Sequence, residues 1–535
     1  MAAERVTYGN GRVFTGHGGP LASWFTVRAG VVEAVGSGPA PGDVRDLGGR
    51  LVIPGLVDAH CHPELLANAA DEIALTPPAV RSVKDIQTAV AERRRTIRGG
   101  DWIVGWGYDE GKLAEGRPPT RWDLDAVSPD VPVVLVRACG HMACVNSAVL
   151  TRLHIDRGTP DPPGGRIDRN RDGDPTGVLR EQAKNLIDGV MPKRSRPDVS
   201  AALARLSPRL FAHGITALTE LTATYRPSDP EQDSLAIYRA ARAAGFRHPV
   251  SLYYVWDDIR RVADRPRPAG PFPAGLTLGG IKVFADGSVS GRTAWVAPPY
   301  QPYGEQAGDS GLGLIGADEL REAQETVAAW RVQLAVHAMG EEAIDLVTKT
   351  LEGRADWLPD RPSVRIEHGA LPTPGAIERA RRSRIAFVMQ PIFLFAEIES
   401  YLNNLGAERT ALSHPLRSLL AAHVPVALSS DAPSTAWADP VNPWLALYTA
   451  TTRRAHDGRV FGPDEAIDVM TALGLYTEGA AAASGLAGGV IRAGAPADFV
   501  VLDTDVLALP PESLRDVHVA ATVMAGEVVW GALGA

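Results

Sequence analysis

The run Leu51-Val-Ile-Pro-Gly-Leu-Val-Asp-Ala-His-Cys-His62 decides how this chain is read. Its apolar first part is strand-like, and alternate side chains of an extended chain share a face, so His60 and His62 project together at the strand's C-terminal end. Two imidazoles placed side by side suit two ligands of one metal ion. The pair is weak evidence alone, because histidines two apart also occur on ordinary surfaces.

Working outward, strand-length apolar runs at 52–60, 214–221, 249–255, 276–284, 332–337, 364–368, 385–390 and 424–430 alternate with helix-period segments. Good helical patterns lie at 320–331, 375–382 and 416–423, with apolar positions three or four apart. This is the pattern of repeated βα units, and eight strands are what a closed parallel barrel needs. The fold class is therefore α/β, a (β/α)8 TIM-like barrel.

The chain has 535 residues, 45% hydrophobic and 22% charged, which leaves room for more than the roughly 250 residues of a barrel. Its ends are β-rich: 12–14 and 24–35 among glycine-rich turns, then 497–502 and 520–530 folding about Ala525-Gly526. We expect one β-sandwich from both termini (1–54 plus 486–535), a catalytic barrel (55–63 plus 200–485) and an inserted α/β subdomain after the first barrel strand (64–199). About 150 residues between the first two barrel strands are too many for a crossover, hence the insertion. Within it, 102–108 and 133–136 read as strands, and 156–175, rich in Gly, Pro, Asp and Arg, reads as a surface loop.

The net charge of −9, from 54 basic and 63 acidic residues, is spread without long single-sign blocks and points away from nucleic acid. No apolar run has the roughly 18 residues of a membrane span, and the start MAAERVTYGNG lacks a secretory core, so a cytoplasmic protein is expected. Cys61, Cys139 and Cys144 are too few, and odd in number, for a disulfide framework.

The chemistry gathers at strand ends. His337 ends the fifth barrel run, His368 ends the sixth and Asp431 follows the eighth, which puts them with His60 and His62 on the face where barrel active sites sit. Lys282 falls inside the fourth run, where a buried unpaired ammonium is costly. It needs an acid such as Asp286, or a lowered pKa. A neutral lysine amine can add carbon dioxide, and the two carbamate oxygens can bridge two cations.

At this point a family resemblance enters. PGLVDAHCH (54–62), IKVFADGS (281–288), AVHAMGEEAI (335–344), RIEHGA (365–370), ALSSDAP (427–433) and PADFVVLD (496–503) resemble the YtcJ-like branch of the amidohydrolase superfamily. So do GWGYDE (105–110) and GHMACVNSAVL (140–150) of the insertion, and within the branch the chain is similar to N-substituted formamide deformylases. The resemblance implies a barrel flanked by a β-sandwich, with one divalent cation held by His60, His62, carboxylated Lys282 and Asp431, and a second by Lys282, His337 and His368. Zinc suits imidazole and carboxylate oxygen; manganese, iron, nickel or cobalt stay open, as does the choice between one ion and two.

The implied activity is hydrolysis of a C–N bond in an amide, N-acyl or N-formyl group of a small organic molecule. Hydroxide generated at the metal attacks the carbonyl, and Asp431 shuttles the proton to the leaving nitrogen. The same barrel can host deamination, decarboxylation or C–C hydrolysis, and a non-catalytic ligand-binding barrel is a third class. Retention of every ligand-type residue argues against the last.

Other candidates each have a functional and a structural reading. His141 is placed to hydrogen-bond the substrate carbonyl or its tetrahedral intermediate. Trp106, Tyr108 and Asp109 wall the pocket or pack as core, and Arg292 binds a substrate anion or braces its loop. Gln390 orients substrate from the end of the seventh run, and Glu220 is a ligand, a base or a support behind the ligands. Ala138-Cys139 precedes Gly140-His141 where the family often has an acid, which loosens any inherited substrate. A homodimer is implied by the resemblance alone.

Overall fold

The computed structural model describes residues 5–98, 101–226, 228–257, 272–302 and 308–533. Eight parallel strands form the central sheet: β1 (Leu56–Cys61), β2 (Ile215–Ala223), β3 (Val250–Val255), β4 (Leu276–Phe284), β5 (Gln333–Ala338), β6 (Val364–His368), β7 (Ala386–Met389) and β8 (Val426–Leu428). Each pairs with its sequence neighbour, as right-handed βα repeats require. The sheet curls until β1 and β8 meet. That seam is joined just beyond the strand ends, where Asp431 N–H donates to the His60 carbonyl at 2.7 Å and His62 N–H donates to the Ala432 carbonyl at 2.8 Å.

The outer helices form where the sequence repeats apolar residues at helical spacing. In Ala317–Trp330 the buried positions are Leu320, Ala323, Gln324 and Val327, a stripe that faces the sheet. Asp318 and Glu319 occupy the first turn, where the helix dipole favours acids, and left-handed Arg331 ends the helix. Pro374–Arg382 and Leu416–Ala421 match the other two expected helices.

The first strand run is not one strand. Leu51–Pro54 belongs to a different sheet, pairing antiparallel with Phe499–Leu502, and β1 starts after Gly55. A side chain at Gly55 would put its Cβ 2.2 Å from Thr216 Oγ1, so only glycine lets the chain pass between the two sheets at this point. The N-terminal run at 24–35 also divides, into Trp24–Arg28 and Val31–Gly36, because Ala29 and Gly30 both take positive φ in a two-residue hairpin turn. Ala525 and Gly526 make the corresponding turn near the C-terminus.

Both termini thus build two facing sheets. One has the strand order Val31–Gly36, Trp24–Arg28, Arg5–Gly9, Val44–Asp46, and the other Arg12–Val13, Leu51–Pro54, Phe499–Leu502, Val519–Met524, Glu527–Gly531. Between them the rings of Tyr8, Phe25 and Phe499 pack with centroids 4.9 to 5.1 Å apart.

A six-stranded sheet lies between β1 and β2 in sequence, containing Ile103–Tyr108 and Val133–Arg137. The 156–175 segment is not all loop, since Gly165–Arg169 is a strand paired antiparallel with Pro175–Glu181. It is an edge strand, and its charged, glycine-bearing composition suits an edge while hiding it from a search for apolar alternation. The three cysteines are free and buried. Among the described residues no helix is long and apolar enough to cross a membrane.

Candidate metal centre

The barrel's C-terminal rim brings six of the expected residues into one cavity: His60, His62, Lys282, His337, His368 and Asp431. Asp431 Oδ1 lies 3.1 Å from His60 Nε2 and 2.9 Å from His62 Nε2, and the three ligating atoms fall within 4.8 Å of one another. The rings of His337 and His368 stand 4.5 Å apart, with His60 4.8 Å from His368. His368 and Asp431 both sit at positive φ (72° and 57°), turning off their strands so that the side chains swing over the barrel mouth.

What lies behind each ring fixes which nitrogen carries its proton. His60 Nδ1–H donates to Glu367 Oε2 at 2.5 Å, and His62 Nδ1–H to the Thr222 hydroxyl at 3.2 Å, which in turn donates to Glu220 Oε1 at 2.9 Å. His337 Nε2–H donates to the Gly287 carbonyl at 3.0 Å, and His368 Nδ1–H to Gln390 Oε1 at 2.8 Å. With one nitrogen of each ring engaged in this way, the other is free to ligate once deprotonated, the arrangement that metal-ligating histidines use, and on His62 that second nitrogen meets Asp431. Buried His60 Nε2 has no hydrogen-bond partner, as expected of a nitrogen that awaits a cation. The donor set therefore fits a divalent ion.

Electrostatics divides the cluster. Burial lowers the His62 pKa, but hydrogen bonds and attraction from Asp431 and Glu220 overcome it and push it up to about 9. Burial and neighbouring cationic groups hold His337 well below its ordinary value, and burial does the same to His368. Burial also lowers Lys282 to about 8, and its ammonium finds no hydrogen bond or ion pair among the described residues. Asp286 is not its partner. That carboxylate instead accepts the backbone N–H groups of Trp295, Met339 and Gly340 at 2.8 to 2.9 Å, tying the loop after β4 to the loop after β5.

The remaining candidates separate. Trp106 and His141 line the cavity, with His141 Nδ1 2.8 Å from Glu181 Oε2 and its ring 4.8 Å from that of His337. Tyr108 does not wall the pocket: it is fully buried in the insertion's core among residues such as Leu75 and Leu135. Asp109 is also withdrawn, paired with buried Arg137 at 2.9 Å. Arg292 braces its loop, donating to Asn404 Oδ1 and the Gln301 carbonyl beside the Tyr300 ring. Gln390 meets His368 rather than the open cavity. Glu220 stands 3.8 Å from His62 Nδ1, on the side away from the cluster, and accepts the Tyr238 hydroxyl at 2.9 Å.

Sequence reading missed Glu367. Its signal was present, because Arg365 and Glu367 are two apart on a strand and so share one face, the barrel interior, where a lone charge would be untenable. The structure pairs them twice, with Arg365 Nη2 2.9 Å from Glu367 Oε2 and Nε 2.5 Å from Oε1. Arg365 and His60 hold the Glu367 carboxyl far below the ordinary carboxylate range, against its burial.

Comparison with known proteins gives the family and the fold. The chain is 31% identical over 528 residues to YtcJ of Bacillus subtilis (strain 168), whose name places it provisionally among amidohydrolases, covering 94% of this chain and 95% of that one. It is 29% identical over 514 residues to N-substituted formamide deformylase of Arthrobacter pascens, covering 92% and 91%. Its fold matches the crystal structure of an uncharacterized metal-dependent hydrolase from Pyrococcus horikoshii OT3 with a TM-score of 0.72 and 24% identity, over 95% of this chain and 99% of that one. Residues 43–530 match the amidohydrolase family, and the chain belongs to that family of metal-dependent hydrolases.

Proposed function

We propose that this protein hydrolyses the C–N bond of an amide, N-acyl or N-formyl group on a small organic molecule. The supporting observation is the convergence of four histidines, Lys282 and Asp431 on one cavity at the barrel mouth. His60, His62 and Asp431 would hold one divalent cation, zinc by ligand type, and His337 and His368 a second, with carboxylated Lys282 between them. Burial of the Lys282 amine, which lowers its pKa to about 8 against the attraction of Glu367 and Asp431, favours carboxylation. When bound, the cation supplies Lewis acidity, lowering the pKa of a water towards about 7 and polarising a carbonyl.

The chain's own residues do the rest. Asp431, within 3.1 Å of both His60 and His62, takes the proton from the attacking water and returns it to the leaving nitrogen. His141, oriented by Glu181, offers its other nitrogen to the carbonyl oxygen as charge develops there. Trp106 covers the mouth, its indole N–H donating to the Pro433 carbonyl at 3.4 Å.

Elemental mass spectrometry of protein purified without chelator tests the site, alongside turnover of N-formyl and N-acyl amines. About two equivalents of transition metal per chain, reduced in both His337→Ala and Lys282→Ala, is the expected result. One equivalent retained by Lys282→Ala means a single-ion site without a lysine bridge. No metal under any loading condition sinks the hydrolase mechanism.

A further inference from the structure

The cavity at the barrel mouth has two chambers. The outer one, about 140 Å³, touches all six candidate ligands and reaches the surface at exposed Leu65. The inner one, about 10 Å³, lies beyond His337, His368 and Asp431 and ends on Ser288, Ser290, Phe393 and Glu397. Such a volume is roughly that of one water molecule.

Glu397 is the carboxyl in this chamber that the proposed mechanism leaves unused. It follows β7, at the junction of the helices Ile392–Ala396 and Ile398–Leu412, and is 4% exposed. Its carboxyl interacts with the Ser290 hydroxyl, and among the described residues it forms no ion pair. Arg137, a neighbouring cation, directs its guanidinium to Asp109, Glu110 and Ser290 at 2.8 to 3.0 Å. Burial raises the Glu397 pKa to about 7, the mark of a carboxyl short of compensating partners. In its ionised form this buried carboxylate faces a cavity next to reactive groups as an acceptor, and a donor supplied by the ligand would favour that form.

A carbonyl carbon held at the ligand cluster carries two substituents, and only the outer chamber takes a large one. The inner substituent is then about one heavy atom in size, and Glu397 asks that it donate a hydrogen bond. An amino group meets both conditions. We infer that the preferred substrates are terminal ureas, R–NH–CO–NH2, with the NH2 seated against Glu397 and R in the outer chamber. This rests on the proposed C–N hydrolysis at the same site and narrows its substrate class. Water adds to the carbonyl carbon, the C–NHR bond breaks, and the nitrogen leaves as R–NH2 with a proton returned by Asp431. The carbamic acid left behind splits into ammonia and carbon dioxide, so the sum is R–NH–CO–NH2 + H2O giving R–NH2, NH3 and CO2.

The test uses isosteres. Benzylurea and N-benzylacetamide differ only by NH2 against CH3, so with metal-loaded protein kcat/KM should favour the urea by about 10-fold or more. Glu397→Gln should shrink that ratio, and Glu397→Met should abolish or reverse it while benzylamine-side binding is kept. Equal turnover of the two compounds, faster turnover of the acetamide, or a ratio unchanged in both variants overturns the inference and leaves amide hydrolysis standing. If neither compound is turned over, turnover of N-formyl and other N-acyl amines judges C–N hydrolysis separately, and calorimetric binding of the same pair decides the inner chamber: tighter urea binding that is lost in Glu397→Gln supports it, and equal binding overturns it.

Discussion

The two halves of the candidate metal centre are built on different electrostatic plans. Behind His60 and His62 stand carboxylates, Glu367 directly and Glu220 through Thr222, and a third carboxylate, Asp431, faces them both. The hydrogen-bond partners of His337 and His368 are neutral, a backbone carbonyl and an amide, and the Asp286 carboxyl 3.6 Å from His337 Nε2 is pushed by burial well above its ordinary pKa, towards its uncharged form. An anion behind an imidazole raises its basicity and its grip on a cation more than a neutral dipole does. The difference teaches that two sets of nearly the same residue types would differ in their affinity for a cation, ranked by what lies one hydrogen bond further out.

The comparison breaks or sharpens by experiment, most severely at the carboxylate that both chambers share. Asp431→Asn should lower kcat/KM by about 10² to 10⁴, the usual worth of a positioned proton shuttle, with the loss seen in steady-state rates on any N-acyl amine the protein cleaves. Retained activity would remove Asp431 from the mechanism and leave only its contact with the two histidines.

Glu367→Gln should weaken the tighter ion by about 10- to 100-fold in a chelator competition. It should also cost about 3–5 kcal/mol in a denaturant melt, because it strands fully buried Arg365 without its counter-charge. If the looser ion is lost instead, the ranking of the halves is wrong.

Proton competition separates the halves next. With its pKa pushed up to about 9 by Asp431 and Glu220, His62 is protonated at neutral pH and must give up that proton to bind a cation. Affinity at the first half should therefore rise about tenfold per pH unit up to about 9 and then flatten. His337 and His368, held well below their ordinary values, are already neutral, so their own protons put no such slope on the second half. Metal titrations at pH 6, 7 and 8 read both slopes.

The smallest effect is expected from Gln390→Leu, which removes a neutral acceptor: a loss of under about tenfold at the second half. A larger loss than that of Glu367→Gln would mean that ring orientation outweighs charge.

How much of this was legible follows from where each residue sits. The ligand-type residues stand at or next to strand ends, positions that hydrophobic runs mark well, and the eight runs themselves were visible because a barrel buries both faces of its strands. The misplaced residues have another character. Tyr108 and Asp109 belong to a motif beside the pocket, yet the pairing with Val133–Arg137 skips Gly107, which sits at positive φ (101°), and this irregularity leaves Trp106 at the cavity and Tyr108 in the insertion's core, where a regular pleat would put both on one face. Gln390 was placed correctly along the chain but its partner lies on β6, and nothing local marks that pairing. The 52–60 run hid a change of sheet because both strands are apolar and the break is one glycine.

The seam of the barrel has one more consequence. The first and last strands of the eight are joined by the segments that carry the candidate ligands, and His62 and Asp431 meet there across 369 residues of sequence. A cation held between them acts as a reversible cross-link closing a very long loop, and the entropy it removes from the unfolded chain grows only slowly with that length. Cation loading and completion of the cylinder are then one thermodynamic event, in which each tenfold excess over Kd adds about 1.4 kcal/mol to the closed form. Stripping the ion should first be felt as faster amide exchange at Asp431 and His62, the two backbone bonds that keep the cylinder shut.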